Sequence, residues 1–353
     1  MTDFERANGM EMRFVMITIK AVAAVFLLLL MAAPPATPGD YAADFLRIGV
    51  GARPMAMGGA YVALANDASA TYWNPAGWAG VSRIAVQLEH VPLFSGLAQY
   101  NSMSAHLAFD YSTSISLNWI RLGVDDIPRY GALEGSRYDR LILGQHRSSG
   151  EALGYFSDKE DAILLSFRRS IILDLEMAGG FSDVYLPTEI SVGFTGKYIH
   201  QKLDQYAGSG QGIDAGVLVR VMPNWEDEPD PRTWFGAGAV IRDLSRTQLS
   251  WNTDSRHKDE IERGLVTGVA ASHLLAFWRT RITIAYDRAF WNTEGNFAGA
   301  ELDFFNAISL RGGYHQDHMT AGAGLRFLGF AVDYAFVADK LDNSHRISGS
   351  FAF

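Results

Sequence analysis

The stretch Gly329-Phe-Ala-Val-Asp-Tyr-Ala-Phe-Val337 alternates between two kinds of side chain. Its large apolar residues fall on one face of an extended chain: Phe330, Val332, Tyr334 and Phe336. Asp333 and two alanines fall on the other face. A period of two residues is that of a β-strand, because successive side chains of a strand point to opposite sides. The stretch therefore predicts a strand with one apolar and one polar surface.

The same alternation recurs along the chain after residue 80. It is clear in four more segments: 280–288, 298–305, 307–314 and 318–327. Nine further segments carry a weaker form of it: 83–89, 102–110, 113–122, 161–169, 190–202, 210–221, 233–242, 263–275 and 344–353. Segment 263–275 alternates least well. Together they predict an all-β fold of about fourteen antiparallel strands. An even number of strands is typical of bacterial outer-membrane barrels.

The composition fits a transmembrane antiparallel β-barrel. Hydrophobic residues make up 48% of the 353 residues, yet the mean hydropathy is only +0.01. A helical membrane protein would carry apolar runs of about 18 residues or more, whereas a membrane strand turns every second residue to the lumen. There is no cysteine and the net charge is −9. The lack of cysteine excludes disulfides, and the negative net charge argues against nucleic acid as a partner.

The N-terminus resembles a secretory signal. Lys20 precedes an apolar run at 21–33, which is followed by small residues and prolines. We expect cleavage between Ala33 and Ala43, and a start at Met10, Met12 or Met16 is equally compatible with the pattern. A single membrane anchor is the alternative. The predicted divisions are a signal peptide at 1–36, a plug at 37–82 and a barrel at 83–353, which places the protein in the bacterial outer membrane.

The last strand ends in two aromatic residues. Phe351 and Phe353 share the face of Ile347. An aromatic C-terminal strand resembles the outer-membrane assembly signal, and it implies contact with the barrel-assembly machinery and outer-membrane lipids. A soluble β-sandwich would also alternate. The signal sequence, the long aromatic-rich apolar faces and this terminus together favour the membrane barrel.

Residues 44–80 do not alternate, and they carry a recognisable set of motifs. The motifs are Gly51-Ala-Arg53, Ala56-Met-Gly-Gly-Ala60, Asn66-Asp-Ala-Ser-Ala70 and Asn74-Pro-Ala-Gly77. The stretch resembles the N-terminal hatch of the long-chain fatty-acid transporter (FadL) superfamily, and is most similar to its PorV/PorQ branch. Weaker similarities lie at 196–199 and 333–336. The residues that carry the resemblance are Gly51, Arg53, Met57, Gly58, Gly59, Asn66, Asp67, Ser69, Asn74, Pro75 and Gly77.

The resemblance implies a fourteen-stranded barrel with its N-terminal segment folded into the lumen as a plug. PorV-like relatives act in type IX secretion, where they carry the C-terminal domains of exported proteins at the cell surface. Secretion-system components or such cargo are therefore the expected partners. The alternative is a FadL-like uptake channel for a hydrophobic ligand such as a fatty acid. A structural or adhesin barrel is a third possibility.

The candidate chemical motifs point to no enzyme, cofactor or metal. The stretch 51–59 lacks the Lys-Ser/Thr ending of a phosphate loop. His315 and His318 are expected to flank a short outer hairpin rather than to bind a metal. The acidic run 226–230 does not have the spacing of a calcium loop, and no Ser, His and Asp spacing singles out a triad.

Charged residues on the polar faces are expected to point into the lumen and to form ion pairs between plug and wall. They are His106, Asp110, Arg168, Lys197, Asp214, Arg220, Arg242, Arg281, Asp287, Glu301, Asp303, Arg311, Arg326, Asp333 and Arg346. Segment 123–160 is predicted as a long outer loop that meets cargo or ligand. Two connections at the opposite end, 170–189 and 223–232, are longer than expected for a barrel.

Overall fold

The computed structural model describes residues 42–77, 83–144, 146, 150–179, 182–223, 233–290, 295–339 and 342–353. The signal peptide predicted at 1–36 and the acidic run 226–230 lie outside these residues. Within them the chain forms sixteen strands. Their bounds are β1 Ile84–Leu93, β2 Ala98–Ala108, β3 Thr113–Arg129, β4 Gly154–Gly179, β5 Ser182–Leu203, β6 Tyr206–Val221, β7 Thr233–Arg242, β8 Thr247–Trp251, β9 Lys258–Ile261, β10 Gly264–Leu275, β11 Thr280–Ala289, β12 Gly295–Phe304, β13 Ile308–His315, β14 His318–Phe327, β15 Phe330–Val337 and β16 Ser344–Ala352.

Fourteen of these strands close into an antiparallel barrel. Strands β1–β7 and β10–β16 pair in order, and β16 closes the ring against β1 through pairs such as Ala85 with Ala352. All fourteen predicted strands are confirmed, including the weakly alternating β10. Strands β8 and β9 form an additional hairpin beside β6. They lie between the predicted strands 233–242 and 263–275, and they were not predicted because five and four residues are too few to show a period.

The barrel has two ends. We call the end at which Phe353 lies the inner end and the opposite one the outer end. The inner turns at 109–112, 276–279, 305–307 and 328–329 are short. On the outer side, β13 and β14 are joined by only Gln316 and Asp317, as predicted for the His315–His318 hairpin.

The prediction of a connection without strands at 170–189 is wrong. Strands β4 and β5 continue through this segment as a ribbon, with pairs from Ile171–Ile190 to Gly179–Ser182. Strand β6 still pairs with Thr188–Ile190, and beyond them the ribbon has only two strands among the described residues. The ribbon extends past the beginning of β3 at Thr113. Successive side chains such as Ile171 and Ile172 are both exposed there. A strand whose two faces meet similar surroundings has no alternation to detect.

The outer loop is also shorter than 123–160. Strand β3 runs on to Arg129 and β4 begins at Gly154. The register of this pair shifts between Val124 and Ile127, where Asp126 has a φ of 58°. Such a β-bulge inserts a residue and interrupts the two-residue period. The strand ends therefore could not be read from alternation.

The two faces of the wall differ sharply in polarity. On β15 the outward residues Phe330 and Val332 are 60% and 56% exposed, whereas the inward Asp333 and Ala335 are 9% and 0% exposed. Exposed aromatic residues mark both ends of the wall: Phe277, Trp278, Phe305 and Phe327 at the inner end, and Tyr198, Tyr286, Tyr314 and Tyr334 towards the outer end. An apolar outer band between aromatic girdles, around a polar interior, is the architecture of an outer-membrane β-barrel.

The C-terminal aromatic residues lie where the ring closes. The Phe351 ring is 4.4 Å from that of Phe330 and 5.3 Å from that of Phe353, measured between centroids. Ile84 and Phe353 exchange two backbone hydrogen bonds of 2.9 Å. None of the helices in the described part of the chain is long and apolar enough to cross a membrane.

Candidate functional site

The lumen holds residues 42–77, which we call the inner segment. It contains three short helical turns, Asp44–Arg47, Ala52–Ala56 and Ala70–Trp73. Its side chains are mostly buried, and they pack against inward-facing residues of the wall such as Ile120, Ile199 and Leu218. The motif residues 51–77 therefore contact the inside of the barrel.

Glycines let the backbone of the inner segment touch the wall. Gly58 has a φ of 68°, and a Cβ atom built on it would lie 2.5 Å from the carbonyl oxygen of Tyr314. Glycines on the wall leave matching space: Gly299 faces Met57, Gly313 faces Gly58 and Gly193 faces Pro75. Backbone approaches this close leave no room for a side chain at the glycine.

The Asn74-Pro75-Ala76-Gly77 motif forms a turn that also bonds to the wall. The Asn74 side-chain amide donates to the carbonyl oxygens of Val62, at 3.0 Å, and of Val217 on β6, at 3.1 Å. Its Oδ1 accepts from the Ala76 backbone N–H at 3.0 Å. One side chain thus joins two parts of the inner segment to the barrel.

A buried chain of ion pairs connects the inner segment to three strands. Arg53 donates from Nε and Nη2 to the two oxygens of Glu301, both at 2.8 Å. Glu301 also pairs with Arg311 at 2.6 Å, and Arg311 pairs with Asp333 at 2.7 Å. Within the inner segment, Arg53 donates to the Asn66 amide oxygen at 2.8 Å and the Tyr61 hydroxyl at 3.0 Å.

Other wall charges bond to the backbone of the inner segment. Asp287 accepts from the N–H groups of Tyr61 and Val62 at 2.6 and 2.8 Å. Arg346 donates to the carbonyl oxygens of Gly49 and Ile48 at 3.0 and 2.7 Å. Glu89 accepts from the Gly51 N–H at 2.8 Å. These bonds satisfy backbone groups that no regular secondary structure pairs.

Glu89 was missed from the sequence, although a signal for it exists. It stands two residues after the buried Gln87 and next to the exposed Leu88. Glu89 is the last residue of the predicted strand 83–89. Alternation places it on the same face as Gln87, and this would have identified it as an inward residue.

Most residues predicted as lumen charges are buried on the inward face: His106, Arg168, Lys197, Asp214, Arg220, Asp287, Glu301, Asp303, Arg311, Asp333 and Arg346. Arg242, Arg281 and Arg326 are half-buried. Lys197 pairs with Asp214 at 2.8 Å and with Asp243 at 2.7 Å, and Arg326 lies 3.3 Å from Asp303.

Asp110 was wrongly placed in the lumen. It is exposed in the turn between β2 and β3, and it accepts from the backbone N–H groups of Ser112 and Thr113 at 2.7 Å. Hydrogen bonds from the Ser112 side chain and from the turn backbone lower the pKa of Asp110 to about 2. Its role is to stabilise a turn.

The remaining motif residues make local contacts. Asp67 accepts from the Ser69 N–H at 2.9 Å, from the Ser69 hydroxyl at 2.6 Å and from the Tyr61 hydroxyl at 2.5 Å. A Cβ atom built on Gly59 would lie near His315. His315 was considered above as a metal ligand. Its Nδ1 lies 3.1 Å from the Gly58 carbonyl oxygen, so this contact occupies one of its two ring nitrogens.

Two cavities lie on opposite sides of the inner segment. The outer pocket has a volume of about 150 Å³. Its lining combines apolar side chains, which include Leu46, Tyr72, Trp73, Leu164, Ile261 and Phe297, with charged ones such as Lys197, Asp214 and Arg242. The inner cavity has a volume of about 850 Å³. Its lining is rich in charge, with Arg53, Asp67, Glu189, Arg220, Glu301 and Asp333.

The outer loop 130–153 carries a cluster of exposed apolar residues. It contains the helix Arg137–Leu141, whose N-terminus is capped by reciprocal bonds between Ser136 and Asp139. Seven large side chains are 47–66% exposed: Tyr130, Leu133, Tyr138, Leu141, Ile142, Leu143 and Leu153. Residues 141–143 therefore do not pack into the barrel mouth, as a ligand pocket formed by this loop would require.

No protein-family model matches the chain, and no curated protein matches it either. Among solved structures it is similar to the Pseudomonas putida toluene transporter TodX, with 13% identity, 86% of this chain and 96% of that chain covered, and a TM-score of 0.42. It is also similar to the translocator domain of the autotransporter NalP from Neisseria meningitidis, with 12% identity, coverages of 78% and 89%, and a TM-score of 0.33. For CdiB from Acinetobacter baumannii the identity is 10%, the coverages are 77% and 60%, and the TM-score is 0.38. At these values, statements about function rest on the residues of the chain itself.

Proposed function

We propose that the chain is an exported outer-membrane barrel of the PorV/PorQ type that holds exported proteins at the cell surface. The observation that carries the proposal is the exposed apolar cluster on the outer loop 130–153. Large exposed apolar patches on a folded protein mark interaction sites. Aromatic side chains beside arginine, as with Tyr130 next to Arg129 and Tyr138 next to Arg137, are common anchors of protein interfaces.

The occupied lumen supports the same proposal. The inner segment, acting as a plug, is bonded to β1, β6, β11, β12 and β16. Releasing it would break the Arg53–Glu301 ion pair and several buried hydrogen bonds together, and breaking a buried ion pair costs about 3–5 kcal/mol. A barrel filled in this way offers its outer surface, rather than its lumen, to large partners such as cargo C-terminal domains or secretion-system components.

Replacing residues 131–152 with a short Gly-Ser linker tests the proposal. This change keeps all of β3 and β4 and removes most of the exposed apolar cluster. We expect the shortened barrel to assemble normally and to lose its protein partners in a pull-down from native outer membrane. Retention of every partner by a folded, shortened barrel would contradict the secretion role.

The outer pocket favours a second candidate function, FadL-like uptake of a hydrophobic ligand. A cavity of about 150 Å³ is large enough to hold one benzene-sized molecule, and apolar side chains such as Tyr72, Trp73 and Phe297 line part of it. It lies beside Tyr72 and Trp73 of the inner segment, so a ligand there would contact the residues that separate the two cavities. Lipid analysis of the purified protein and an uptake assay distinguish the two functions. Uptake that survives loss of the outer loop and fails in a Trp73→Ala variant would favour this second function.

A further inference from the structure

Arg220 lies at the inner end of β6 and borders the inner cavity. It is only 6% exposed. Its Nε and Nη2 atoms are buried without a hydrogen-bond partner among the described residues. Buried guanidinium groups are almost always bonded, since leaving a charged donor unpaired is costly. Arg220 is therefore an unusual residue within the lumen wall.

The described charged groups nearest to Arg220 are one carboxylate and a second guanidinium. Its nearest carboxylate among the described residues is that of Glu189, whose Oε2 is 3.9 Å from Nη1. The other oxygen of Glu189 pairs closely with Arg168. Among the residues that the structure describes, two guanidinium groups thus share one carboxylate, which leaves one positive charge in excess in this cluster.

A flat apolar surface adjoins the same guanidinium. The Arg220 group stacks over the ring of Trp234, 4.8 Å from its centroid. The residue opposite Arg220 on β7 is Gly236, and the Trp234 ring lies beside that glycine. Met222 and Leu274 line the same part of the cavity. The Ser272 and Thr283 hydroxyls, 3.0 Å apart, lie on the next two strands of the ring.

We propose that Arg220 and Trp234 form a binding site for a small organic carboxylate in the inner cavity. The guanidinium matches the planar geometry of a carboxylate, and arginine is suited to such two-bonded recognition. The carboxylate supplies the missing negative charge, and Trp234, Met222 and Leu274 receive the apolar body of the ligand. The volume of about 850 Å³ is within the range of small-molecule sites. The site lies at the end of the barrel opposite the outer loop, so it does not depend on the secretion role.

Calorimetric titration of the purified full-length barrel with benzoate tests the site. Benzoate should bind, and benzamide, which has the same shape without the charge, should not. Arg220→Gln should weaken benzoate binding at least about ten-fold, because the charged partner is lost. Arg220→Lys should bind more weakly than wild type, since the two-bonded geometry is lost. Arg279→Gln, at an exposed position of the same cavity, should bind as wild type does.

Gel mobility before and after heating establishes that each variant is folded. If Arg220→Gln does not fold, Trp234→Leu takes its place, and it should weaken binding by removing the stacking surface. Failure of wild type to bind benzoate would overturn the proposal, as would equal binding by wild type and the Arg220 or Trp234 variants. Tighter binding of inorganic phosphate than of benzoate would overturn the assignment to a carboxylate. None of these outcomes bears on partner capture by the outer loop.

Discussion

Arg53 and Glu301 form a two-bonded buried ion pair although they stand 248 residues apart in the chain. Arg53 belongs to the inner segment and Glu301 to β12, so the pair joins the content of the barrel to its wall. Because Glu301 also pairs with Arg311, removing Arg53 leaves a carboxylate that keeps one partner.

Arg53→Gln should loosen the inner segment. Loss of one partner of a buried pair costs up to about 3 kcal/mol when another partner remains. Amide hydrogen exchange should rise in residues 51–66, while the barrel strands stay protected. Arg47→Gln is the matched control, because Arg47 and Asp44 form an ion pair that is more exposed than the Arg53–Glu301 pair, and exposed pairs contribute little. Equal protection in the Arg53 variant and wild type would show that the pair does not hold the segment.

Gly58→Ala should displace the inner segment from β13. The added Cβ would lie 2.5 Å from the Tyr314 carbonyl oxygen, in a residue that also has a positive φ. Gly96→Ala separates the effect of the steric clash from that of the positive φ, since Gly96 has a φ of 91° but no atom within 4 Å of its added Cβ. We expect the Gly58 variant to be the less stable of the two in urea titrations. Equal midpoints would mean that the close approach to Tyr314 is unimportant.

Val332→Arg should impair assembly more than Ala331→Arg. Val332 faces outward, where an arginine at the bilayer midplane costs about 2–4 kcal/mol. Ala331 borders the inner cavity, where an added charge meets water. The folded fraction after insertion into lipid bilayers measures the difference. Similar folded fractions would contradict the assignment of the two faces.

Ile142→Ser combined with Leu133→Ser should reduce capture of protein partners without changing stability. Both side chains are exposed on the outer loop, so replacing them removes contact surface and leaves the core unchanged. Glu134→Ala on the same loop serves as the control, because that residue is exposed and polar. Undiminished capture by the double variant would exclude the apolar cluster as the docking surface.

The barrel could be predicted because its wall separates lipid from a polar interior, which produces a two-residue period along most of its strands. The period failed wherever that difference disappears, as in the β4–β5 ribbon, or is interrupted, as at the bulge before Ile127. The contacts of the inner segment could not be derived from periodicity. Contacts such as Arg53 with Glu301 and Asn74 with Val217 join residues that are far apart in sequence, and they form only once the barrel has closed around the inner segment. Asp110 shows where alternation misleads. The strand was predicted to run to Asp110, but β2 ends at Ala108, so Asp110 lies in the turn and not in the lumen.

The central claim is that the inner segment closes the lumen, and single-channel conductance in planar bilayers tests it most directly. Wild type should show a closed or nearly closed trace. A variant that lacks residues 52–65, and whose gel mobility shows a folded barrel, should open a stable conductance, because this deletion removes Arg53, Gly58 and Tyr61 together. An open wild-type trace, or a closed trace from the folded deletion variant, would contradict the account.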